Sequence, residues 1–423
     1  MEHDRLPTRA WVLHPDLKTD DHRRAPKPAL EEAVSLASAL PNLEVLGSNV
    51  VPLPKAHAGL LFGSGKIAEL KAVFAANEVE LVLIDGPVSP VQQRNLEKEW
   101  GVKILDRTGL ILEIFSDRAR TREGVLQVEM AALSYQRTRL VRAWTHLERQ
   151  RGGLGFVGGP GETQMEADRR AIDTQLLALK KQLDKVAKTR TLHRAARAKV
   201  PYPIVALVGY TNAGKSTLFN RLTGAEVLAK DMLFATLDPT MRRLRLPEVT
   251  EVILSDTVGF ISNLPTQLVA AFRATLEEVL AADLIVHVRD ISHPDTGAQA
   301  RDVETILASL GVEEGTPRLE VWNKVDALPA EEREAMRNRA DRDDGVLAIS
   351  ALTGEGLDAL CSAIALKVQD ARTEEQLHLG FDEGRRRAWL FKQEVVQNET
   401  QGEDGYELTV TWTPRQKAQF SAL

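Results

Sequence analysis

The segment Gly209–Ser216 reads GYTNAGKS, and its residue types suit the binding of phosphate. It follows the apolar run IVALV and precedes the pattern TLFNRL, so it is predicted to join a strand to the first turn of a helix. Glycines let the backbone N–H groups of such a loop turn inward around phosphates, and the helix N-terminus adds positive potential. We predict that Lys215 contacts the β- and γ-phosphates of a nucleotide and that Ser216 ligates Mg²⁺.

Two further segments follow at the spacing of a nucleotide-dependent switch. Asp256-Thr-Val-Gly259 comes after the apolar run VILS. An aspartate at that strand end offers a carboxylate to Mg²⁺, directly or through water. The Gly259 amide is predicted to approach the γ-phosphate, because no side chain intervenes. Between the two motifs, the segment FATLDPT contains Thr236, whose hydroxyl we predict to sense Mg²⁺ and the γ-phosphate, with Thr240 as the alternative.

A third segment, Asn323-Lys324-Val-Asp326, ends the apolar run LEVW and indicates which base is bound. Guanine presents N1–H and N2–H₂ side by side, and one carboxylate accepts from both. Adenine has an acceptor at N1 and nothing at C2, so Asp326 would face no donor, which costs about 1–3 kcal/mol. Ser350-Ala351-Leu352, after the run VLAI, is predicted to brace the base edge with backbone amides. The predicted nucleotide is therefore GTP, with GDP as product.

The predicted site residues all belong to these segments. Those predicted to bind the nucleotide are Gly209, Tyr210, Thr211, Asn212, Ala213, Gly214, Lys215, Ser216, Thr217, Phe234, Thr236, Asp256, Gly259, Asn323, Lys324, Asp326, Ser350, Ala351 and Leu352. The predicted Mg²⁺ ligands are Ser216, Thr236 and Asp256. Hydrolysis is assigned to Lys215, Thr236 and Gly259.

Phe260 follows this DTVG motif directly. Many small GTPases have a glutamine there that orients the attacking water, and a phenyl ring cannot hydrogen-bond to water. We therefore predict slow intrinsic hydrolysis that a partner or another group accelerates. A non-catalytic module in which GTP only orders a binding surface is an alternative, although the complete phosphate and Mg²⁺ set argues against it.

The alternation of apolar runs with helical patterns predicts an α/β multidomain protein. Runs that are apolar on both faces predict that the phosphate loop belongs to a P-loop GTPase domain with a mostly parallel sheet and helices on both faces. The predicted parts are a small α/β domain at 1–117, an antiparallel helical hairpin at 118–200, the GTPase domain at 201–371 and a small C-terminal domain with a β-hairpin at 372–423. In the last part, Trp389–Val396 and Tyr406–Trp412 are predicted to be the hairpin strands.

The predicted helical hairpin is basic. Its two helices each carry one apolar stripe at heptad spacing, which favours antiparallel packing, although Arg137 occupies one stripe position. The connecting stretch Arg151–Gln164 is rich in glycine and is predicted not to be helical. Between Arg118 and Lys199, 18 Lys plus Arg face 8 Asp plus Glu, a local charge of +10 on a chain whose net charge is −6. A polyanionic partner is therefore predicted for this hairpin, whereas an ordinary solvated helix surface is the plainer alternative.

The composition indicates the cellular compartment in which the protein is expected. Cys361 is the only cysteine, so a disulfide framework is excluded and a reducing, cytoplasmic compartment is expected. No stretch reaches the roughly 18 apolar residues of a membrane span, and the N-terminus has no apolar segment typical of a signal peptide. We expect a monomer.

These motifs, in this frame, resemble the HflX family of GTPases. The likeness includes LFGSGKIAEL at 61–70, SPVQQRNLE at 89–97 and DRTGLILEIFSDRARTREGVLQVEMAAL at 106–133. It also includes RGGLGFVGGPGETQMEADRR at 151–170, FATLDPT and DTVGFISNLP. The resemblance implies a GTPase that binds the large ribosomal subunit, separates stalled or idle ribosomes and brings its glycine-rich loop to ribosomal RNA. Phosphate contacts are predicted for the nearby basic residues Arg149, Arg151, Arg169 and Arg170.

Several alternatives stay open. A GTPase that serves RNA or ribosome maturation would use the same basic hairpin on another RNA. In some related GTPases a K⁺ ion lies where Asn212 stands here. Some HflX proteins are reported to use ATP through the N-terminal region, but Gly63-Ser-Gly-Lys66 lacks the full phosphate-loop pattern, and we interpret it as a turn entering a helix. Asp106 and Arg107 are either a functional pair or a structural ion pair.

Overall fold

A computed structural model describes most of the chain. The described residues are 7–19, 24–150, 160–197, 202–225, 233–234, 240–247, 251–262, 279–312, 315–370, 373–402, 404–412, 414–421 and 423. None of the helices within these residues has the length and apolar character needed to cross a membrane. We call 7–118 the N-terminal region, 122–197 the hairpin, 202–370 the central region and 373–423 the tail.

The N-terminal region is a four-stranded parallel sheet with helices. Its elements are β1 (Thr8–Leu17), α1 (Pro26–Ser38), β2 (Leu43–Leu53), α2 (Ser64–Ala76), β3 (Leu81–Ile84), α3 (Pro90–Trp100), β4 (Lys103–Asp106) and α4 (Arg107–Arg118). The strand order is β2-β1-β3-β4, with every pairing parallel. A reciprocal capping box between Ser89 and Gln92 begins α3. β1 was not predicted, because Arg9, His14 and Asp16 interrupt its apolar pattern.

The hairpin consists of two long helices, α5 (Arg122–Gln150) and α6 (Pro160–Arg197). Arg137 pairs with Asp173 through an Nε–Oδ1 distance of 2.8 Å, so the basic residue in the apolar stripe is matched by a carboxylate on the facing helix. The prediction of an irregular stretch up to Gln164 is wrong for its last residues, because α6 already begins at Pro160. Proline suits a first helical position, where its missing N–H has no partner to lose. The glycine-rich residues 151–159 lie outside the described residues.

The base of the hairpin is fastened to the N-terminal region at the end of β4. The Tyr135 hydroxyl donates to Asp106 Oδ2 at 2.6 Å, and Arg139 Nη1 donates to the same oxygen at 3.1 Å. Asp106 Oδ1 accepts from the Gly109 amide at 2.8 Å and so caps α4. Asp106 and Arg107 do not pair with each other, because Arg107 contacts Glu32 and Asp85 of the N-terminal region and Ser262 of the central region.

The central region is a six-stranded sheet in the order β10-β9-β8-β5-β7-β6, in which β6 alone is antiparallel. Its elements are β5 (Ile204–Gly209), α7 (Lys215–Thr223), β6 (Thr240–Arg245), β7 (Glu251–Asp256), β8 (Leu284–Asp290), α8 (Thr296–Leu310), β9 (Arg318–Asn323), α9 (Ala330–Ala340), β10 (Val346–Ala348) and α10 (Leu357–Asp370). Val205 and Leu207 share one core with α7 and α10, whereas Ala206 and Val208 share another with α8. Both faces of the sheet are therefore buried under helices, as the doubly apolar strands predicted.

The tail is a three-stranded antiparallel sheet in the order β11-β13-β12. Its elements are β11 (Thr373–Gly380), α11 (Gly384–Lys392), β12 (Val396–Gln401), β13 (Gly405–Trp412) and α12 (Pro414–Ser421). The expectation of a strand over Trp389–Val396 is wrong, because α11 extends to Lys392 and the strand begins only at Val396. Helix formers such as Arg387 and Leu390 outweigh the aromatic residues of this run.

One apolar core crosses from the N-terminal region into the central region. It contains α4 residues and residues beside the phosphate loop and the DTVG motif. Its members include Leu110, Ile111, Phe115, Tyr210, Phe234, Val258 and Phe260. The two regions are therefore packed together at the segments predicted to respond to the nucleotide.

Candidate active site

The predicted phosphate loop connects β5 to α7 and requires its two glycines. Gly209 has φ +152°, and a Cβ atom on it would lie 2.1 Å from the carbonyl oxygen of Val288. Gly214 has φ +91°, and its Cβ atom would lie 2.2 Å from Asn323 Nδ2. Any side chain at either position would clash, and glycine alone tolerates such backbone angles at no steric cost.

Lys215 lies at the start of α7 with its amine buried under the loop. Nζ donates to the carbonyl oxygens of Gly209 at 3.1 Å and Tyr210 at 2.8 Å. Burial lowers the pKa of Lys215 to about 8, and the nearby Asp256 carboxylate opposes that shift only in part. A desolvated ammonium whose partners are neutral carbonyls is well prepared to gain an anion.

The predicted metal ligands Ser216 and Asp256 are brought together. Ser216 Oγ donates to Asp256 Oδ2 at 2.8 Å, and Asp256 is completely buried at the end of β7. The next residue is fixed as well, since Thr257 Oγ1 donates to the Leu207 carbonyl at 2.6 Å. Thr236 lies outside the described residues, and the alternative Thr240 begins β6 directly opposite Asp256.

Gly259 and Phe260 lie directly against the phosphate loop. The Phe260 amide donates to the Gly209 carbonyl at 3.1 Å, and the Thr211 amide donates to the Phe260 carbonyl at 2.6 Å. A Cβ atom on Gly259 would lie 2.9 Å from Thr211 Cα and 3.0 Å from Lys215 Nζ. The Phe260 ring is buried in the core shared with the N-terminal region.

At the opposite end of the site, Asn323 joins three segments. Its Nδ2 donates to the Ala213 carbonyl at 2.8 Å, and its Oδ1 accepts from the Ala351 amide at 2.9 Å. Lys324 adopts φ +67° and pairs with Asp290 through an Nζ–Oδ2 distance of 2.8 Å. The phosphate loop, the NKVD motif and the SAL motif are thus held in register by one amide side chain.

Asp326 lies in a short 3₁₀ turn, Val325–Ala327, just after β9. Its Oδ1 atom is buried and has no hydrogen-bond partner among the described residues. Arg333, on α9, clamps this turn by donating to the carbonyl oxygens of Val325 at 3.0 Å and Asp326 at 2.8 Å. Sequence reasoning did not find Arg333, because its role depends on how α9 folds back on the turn.

The SAL motif closes the same end. Ser350 Oγ accepts from the Thr353 amide at 3.0 Å, which folds the loop after β10 into a turn. Ala351 is buried, whereas the Leu352 side chain is 71% exposed.

The other predicted site residues differ in their burial and in the side chains that they contact. Asn212 is exposed with φ +58°, and Thr217 lies partly buried in the first turn of α7. Thr211 is buried, and its Oγ1 has no hydrogen-bond partner within the described part of the chain. The Phe234 ring packs on Phe115 of α4 at a centroid distance of 4.7 Å, so it faces the N-terminal region.

The N-terminal region contributes residues to the phosphate end that sequence reasoning missed. The Tyr210 hydroxyl donates to Glu32 Oε2 at 2.6 Å and accepts from the Ser262 amide at 2.6 Å. Burial and the neighbouring Glu32 carboxylate raise the pKa of Tyr210 well above its usual range, so the phenol keeps its proton. Arg118 Nη1 also donates to the Phe234 carbonyl at 3.2 Å. No sequence pattern signals these contacts, since Glu32 and Tyr210 lie far apart in the chain.

A doubly covered parallel sheet, a phosphate loop over a buried lysine, a Ser–Asp pair and an NKxD turn together define a P-loop GTPase. Four family models match the chain: GTP-binding GTPase N-terminal at 27–116, GTP-binding GTPase Middle Region at 118–197, 50S ribosome-binding GTPase at 204–324 and HflX C-terminal domain at 335–421. A GTPase HflX of Magnetococcus marinus is 48% identical over 414 residues, which cover 98% of this chain and 94% of that protein. The chain belongs to the HflX family of GTPases.

Two further comparisons are of lower similarity. A GTPase HflX of Escherichia coli is 44% identical over 379 residues, covering 89% of this chain and 87% of that protein. Among solved structures, a GTP-binding protein of Sulfolobus solfataricus in complex with GDP covers 86% of this chain and 99% of its own, with 23% identity and a TM-score of 0.47. That structural likeness is remote.

Proposed function

We propose that this GTPase acts on the large ribosomal subunit and that its GTP cycle separates stalled or idle ribosomes. The observation that carries the proposal is the basic hairpin, which projects from a region fastened to the nucleotide switch. The match of residues 204–324 to the family described as 50S ribosome-binding GTPase supports the choice of partner. We further propose that the chain acts as a monomer in the cytoplasm.

GTP is proposed to lie between the phosphate loop and the NKVD motif. Lys215 would pair with the β- and γ-phosphates, and the unsatisfied Oδ1 of Asp326 would accept from guanine N1–H and N2–H₂. A buried acceptor that only guanine satisfies is a sufficient reason for preferring GTP over ATP.

Mg²⁺ fits the donors that the site presents. A serine hydroxyl and a buried carboxylate, 2.8 Å apart, are hard oxygen ligands of the kind that Mg²⁺ prefers. Ser216 and Asp256 would hold the ion, and Thr236 stays a predicted third ligand. When bound, the ion neutralises charge on the phosphate oxygens. A K⁺ ion beside Asn212 stays a second proposed cation, since that residue is exposed at the rim of the loop.

The length and charge of the hairpin support its contact with ribosomal RNA. α6 contains 38 residues, which corresponds to about 57 Å at the helical rise. Arg169 and Arg170 are exposed near the start of α6, while the side chain of Arg149 and all of Arg151 lie outside the described residues. A stiff, basic strut would gain most of its affinity from RNA phosphates, so its binding should weaken with salt.

The position of Phe260 supports a dependence on the partner. The ring is buried in an apolar core and cannot orient water, so the proposed basal hydrolysis is slow. The large subunit is proposed to raise it by completing the site. The test is the GTPase rate of the purified protein, alone and with 50S, 30S or 70S particles, beside sucrose-gradient measurement of 70S splitting. We expect stimulation by 50S, splitting in the presence of GTP, and loss of both in Lys215→Ala.

The contribution of the hairpin is tested by Arg169→Gln combined with Arg170→Gln. We expect about 3- to 10-fold weaker 50S binding. The slope of log affinity against log salt concentration should fall by the amount that corresponds to roughly one to two lost phosphate contacts. Lys71→Gln combined with Lys98→Gln is the matched control, because both lysines are exposed on the N-terminal region. Equal stimulation by precursor RNA without ribosomes would replace the ribosome with RNA maturation as the function.

A further inference from the structure

Glu32 is a carboxylate of the N-terminal region that contacts two parts of the GTP site. Oε2 accepts from the Tyr210 hydroxyl at 2.6 Å, and Oε1 accepts from Ser262 Oγ at 2.9 Å. Tyr210 belongs to the phosphate loop, and Ser262 lies three residues after Gly259. One side chain on α1 therefore ties the loop to the segment that follows the DTVG motif.

Arg107 completes this arrangement from the start of α4. Its Nη2 donates to the carbonyl oxygen of Ser262 at 3.1 Å and to Ser262 Oγ at 3.0 Å. The same guanidinium forms ion pairs with Glu32 and Asp85, and Arg24 lies 3.1 Å from Glu32. Ser262 is thus held through both its backbone and its side chain.

The charges of the cluster persist at neutral pH. Burial raises the pKa of Glu32, but the guanidinium groups of Arg107 and Arg24 and the Tyr210 hydroxyl together lower it by more. The pKa of Glu32 therefore lies below its usual value. The pKa of Asp85 is lowered to about 2, with burial opposed by Arg107 and His14. The network is therefore a set of charge-assisted hydrogen bonds, which are stronger than neutral ones.

The segment held in this way lies where a terminal phosphate has to enter. The amide of Thr211, a residue of the phosphate loop, donates to the Phe260 carbonyl oxygen at 2.6 Å. A methyl group on Gly259 would come within 3.0 Å of Lys215 Nζ. A γ-phosphate held between Lys215 and the Gly259 amide therefore requires residues 259–260 to move away from the loop, whereas a β-phosphate in the loop does not.

We propose that Glu32 is a specificity-determining residue for the terminal phosphate, because it holds the segment 259–262 against the phosphate loop. GDP leaves the held arrangement in place, and GTP has to displace it. Glu32 therefore lowers the affinity for GTP relative to GDP. The inference rests on the nucleotide site alone and does not depend on the ribosome as partner.

The coupling has a reciprocal consequence. Because GTP binding and the Glu32 contacts oppose each other, GTP must weaken those contacts by the same factor by which they weaken GTP binding. The Ser262 amide, which donates to the Tyr210 hydroxyl, should exchange its hydrogen faster in the GTP-bound state than in the GDP-bound state.

The experiment compares the affinities of fluorescent GDP and a fluorescent non-hydrolysable GTP analogue in the full-length protein without ribosomes. For Glu32→Gln we expect 5- to 30-fold tighter binding of the analogue, in the range of typical coupling energies, and GDP affinity within about twofold of wild type. Glu31→Gln is the matched control, since it changes the same group on the exposed neighbouring residue. Its affinity ratio should equal that of wild type.

Two variants keep the proposal testable if Glu32→Gln does not fold. Tyr210→Phe and Ser262→Ala each remove one contact of Glu32, and each should shift the ratio in the same direction by about threefold. In combination with Glu32→Gln, Tyr210→Phe should add less than its separate effect. An unchanged affinity ratio in the folded variants, or a weaker affinity for the analogue, would overturn the proposal.

Discussion

The two ends of the nucleotide site are supported in different ways. At the base end, Asn323 binds Ala213 and Ala351, and Arg333 binds the turn of Asp326, and all of these residues belong to the central region. At the phosphate end, Tyr210 and Ser262 are bound by Glu32 and Arg107 of the N-terminal region. In the proposed site, the base would therefore be recognised by residues of the central region alone, whereas the phosphates would contact elements that the N-terminal region also holds.

The base end would therefore distinguish which base is bound, whereas the phosphate end would distinguish GTP from GDP. The base is the same in GTP and GDP, so nothing is gained by linking its recognition to the rest of the molecule. The third phosphate is what changes, and a contact that opposes its entry can pass that change to other regions. Substitutions at the base end should thus change the affinity for both nucleotides, and those at the phosphate end should change their ratio.

The largest effect is expected for Asp326→Asn at the base end. The amide would place an N–H₂ group against the guanine donors and remove a charged acceptor, so GDP and GTP should both bind about 10³-fold more weakly. Xanthosine diphosphate, which carries a carbonyl at C2, should bind better than it does to the wild type. Titration with the three nucleotides measures this, with Asp341→Asn, on an exposed residue, as control. Wild-type affinity for GDP would show that Asp326 does not read the base.

A smaller effect is expected for Phe260→Gln at the phosphate end. Burying an amide in the core shared by the two regions should lower the free energy of unfolding by about 3 kcal/mol, because an apolar ring is lost and a polar group is buried. Basal hydrolysis should not rise, since the side chain points into the core. Thermal unfolding and single-turnover GTPase assays test both points, and Phe260→Leu should cost clearly less. Faster hydrolysis in a fully stable variant would contradict this account.

The affinity for GDP should depend on pH through Lys215. The free protein loses the Lys215 proton above its lowered pKa of about 8, whereas bound phosphate keeps the amine charged. The bound state then holds more protons than the free state, so affinity falls as pH rises past about 8, approaching tenfold per pH unit. Measurements of GDP affinity between about pH 7 and 9 test this. Lys215→Ala is the control, because any pH dependence caused by the titration of guanine itself remains in that variant. Parallel profiles for the two proteins would exclude Lys215 as the cause.

The smallest effect is expected for Arg333→Ala. Loss of its hydrogen bonds to the Asp326 turn should weaken GDP and the GTP analogue by about fivefold each, roughly 1 kcal/mol, and leave their ratio unchanged. This sharpens the contrast with Glu32→Gln, which should change the ratio. Arg342→Ala, at an exposed position nearby, is the control. A shift in the ratio would mean that the base end also senses the phosphate.

Much of the central region was predictable, because its information is local. The strands that end at Gly209, Asp256 and Asn323 are apolar on both faces, and each is followed directly by a polar motif whose spacing is chemically constrained. Parallel strands bring such motifs to one sheet edge, so the meeting of Ser216 with Asp256 follows from sequence order alone.

The remainder depends on contacts between distant segments. Nothing near Glu32 distinguishes it from its neighbour Glu31 until α1 is packed against the phosphate loop. The direction of the Phe234 ring is decided by Phe115 of another region. In the tail, the aromatic run from Trp389 suggested a strand, but helix-forming residues and the packing of Trp389 on Phe420 decided otherwise.

The adjacent residues Asp106 and Arg107 connect the hairpin mechanically to the segment that follows the DTVG motif. Asp106 accepts hydrogen bonds from Tyr135 and Arg139 of α5, while Arg107 donates to Ser262, so the two attachments are one peptide bond apart. From Arg139, α5 continues for about 17 Å to Gln150, so a rotation of about 5° at this attachment moves that end by roughly 1.5 Å. Conversely, a force applied at the far end of α5 acts on the attachment at Asp106 with greater strength but over a shorter distance. A displacement of a few tenths of an ångström near Asp106 would thus correspond to a movement of about an ångström at the far end of α5.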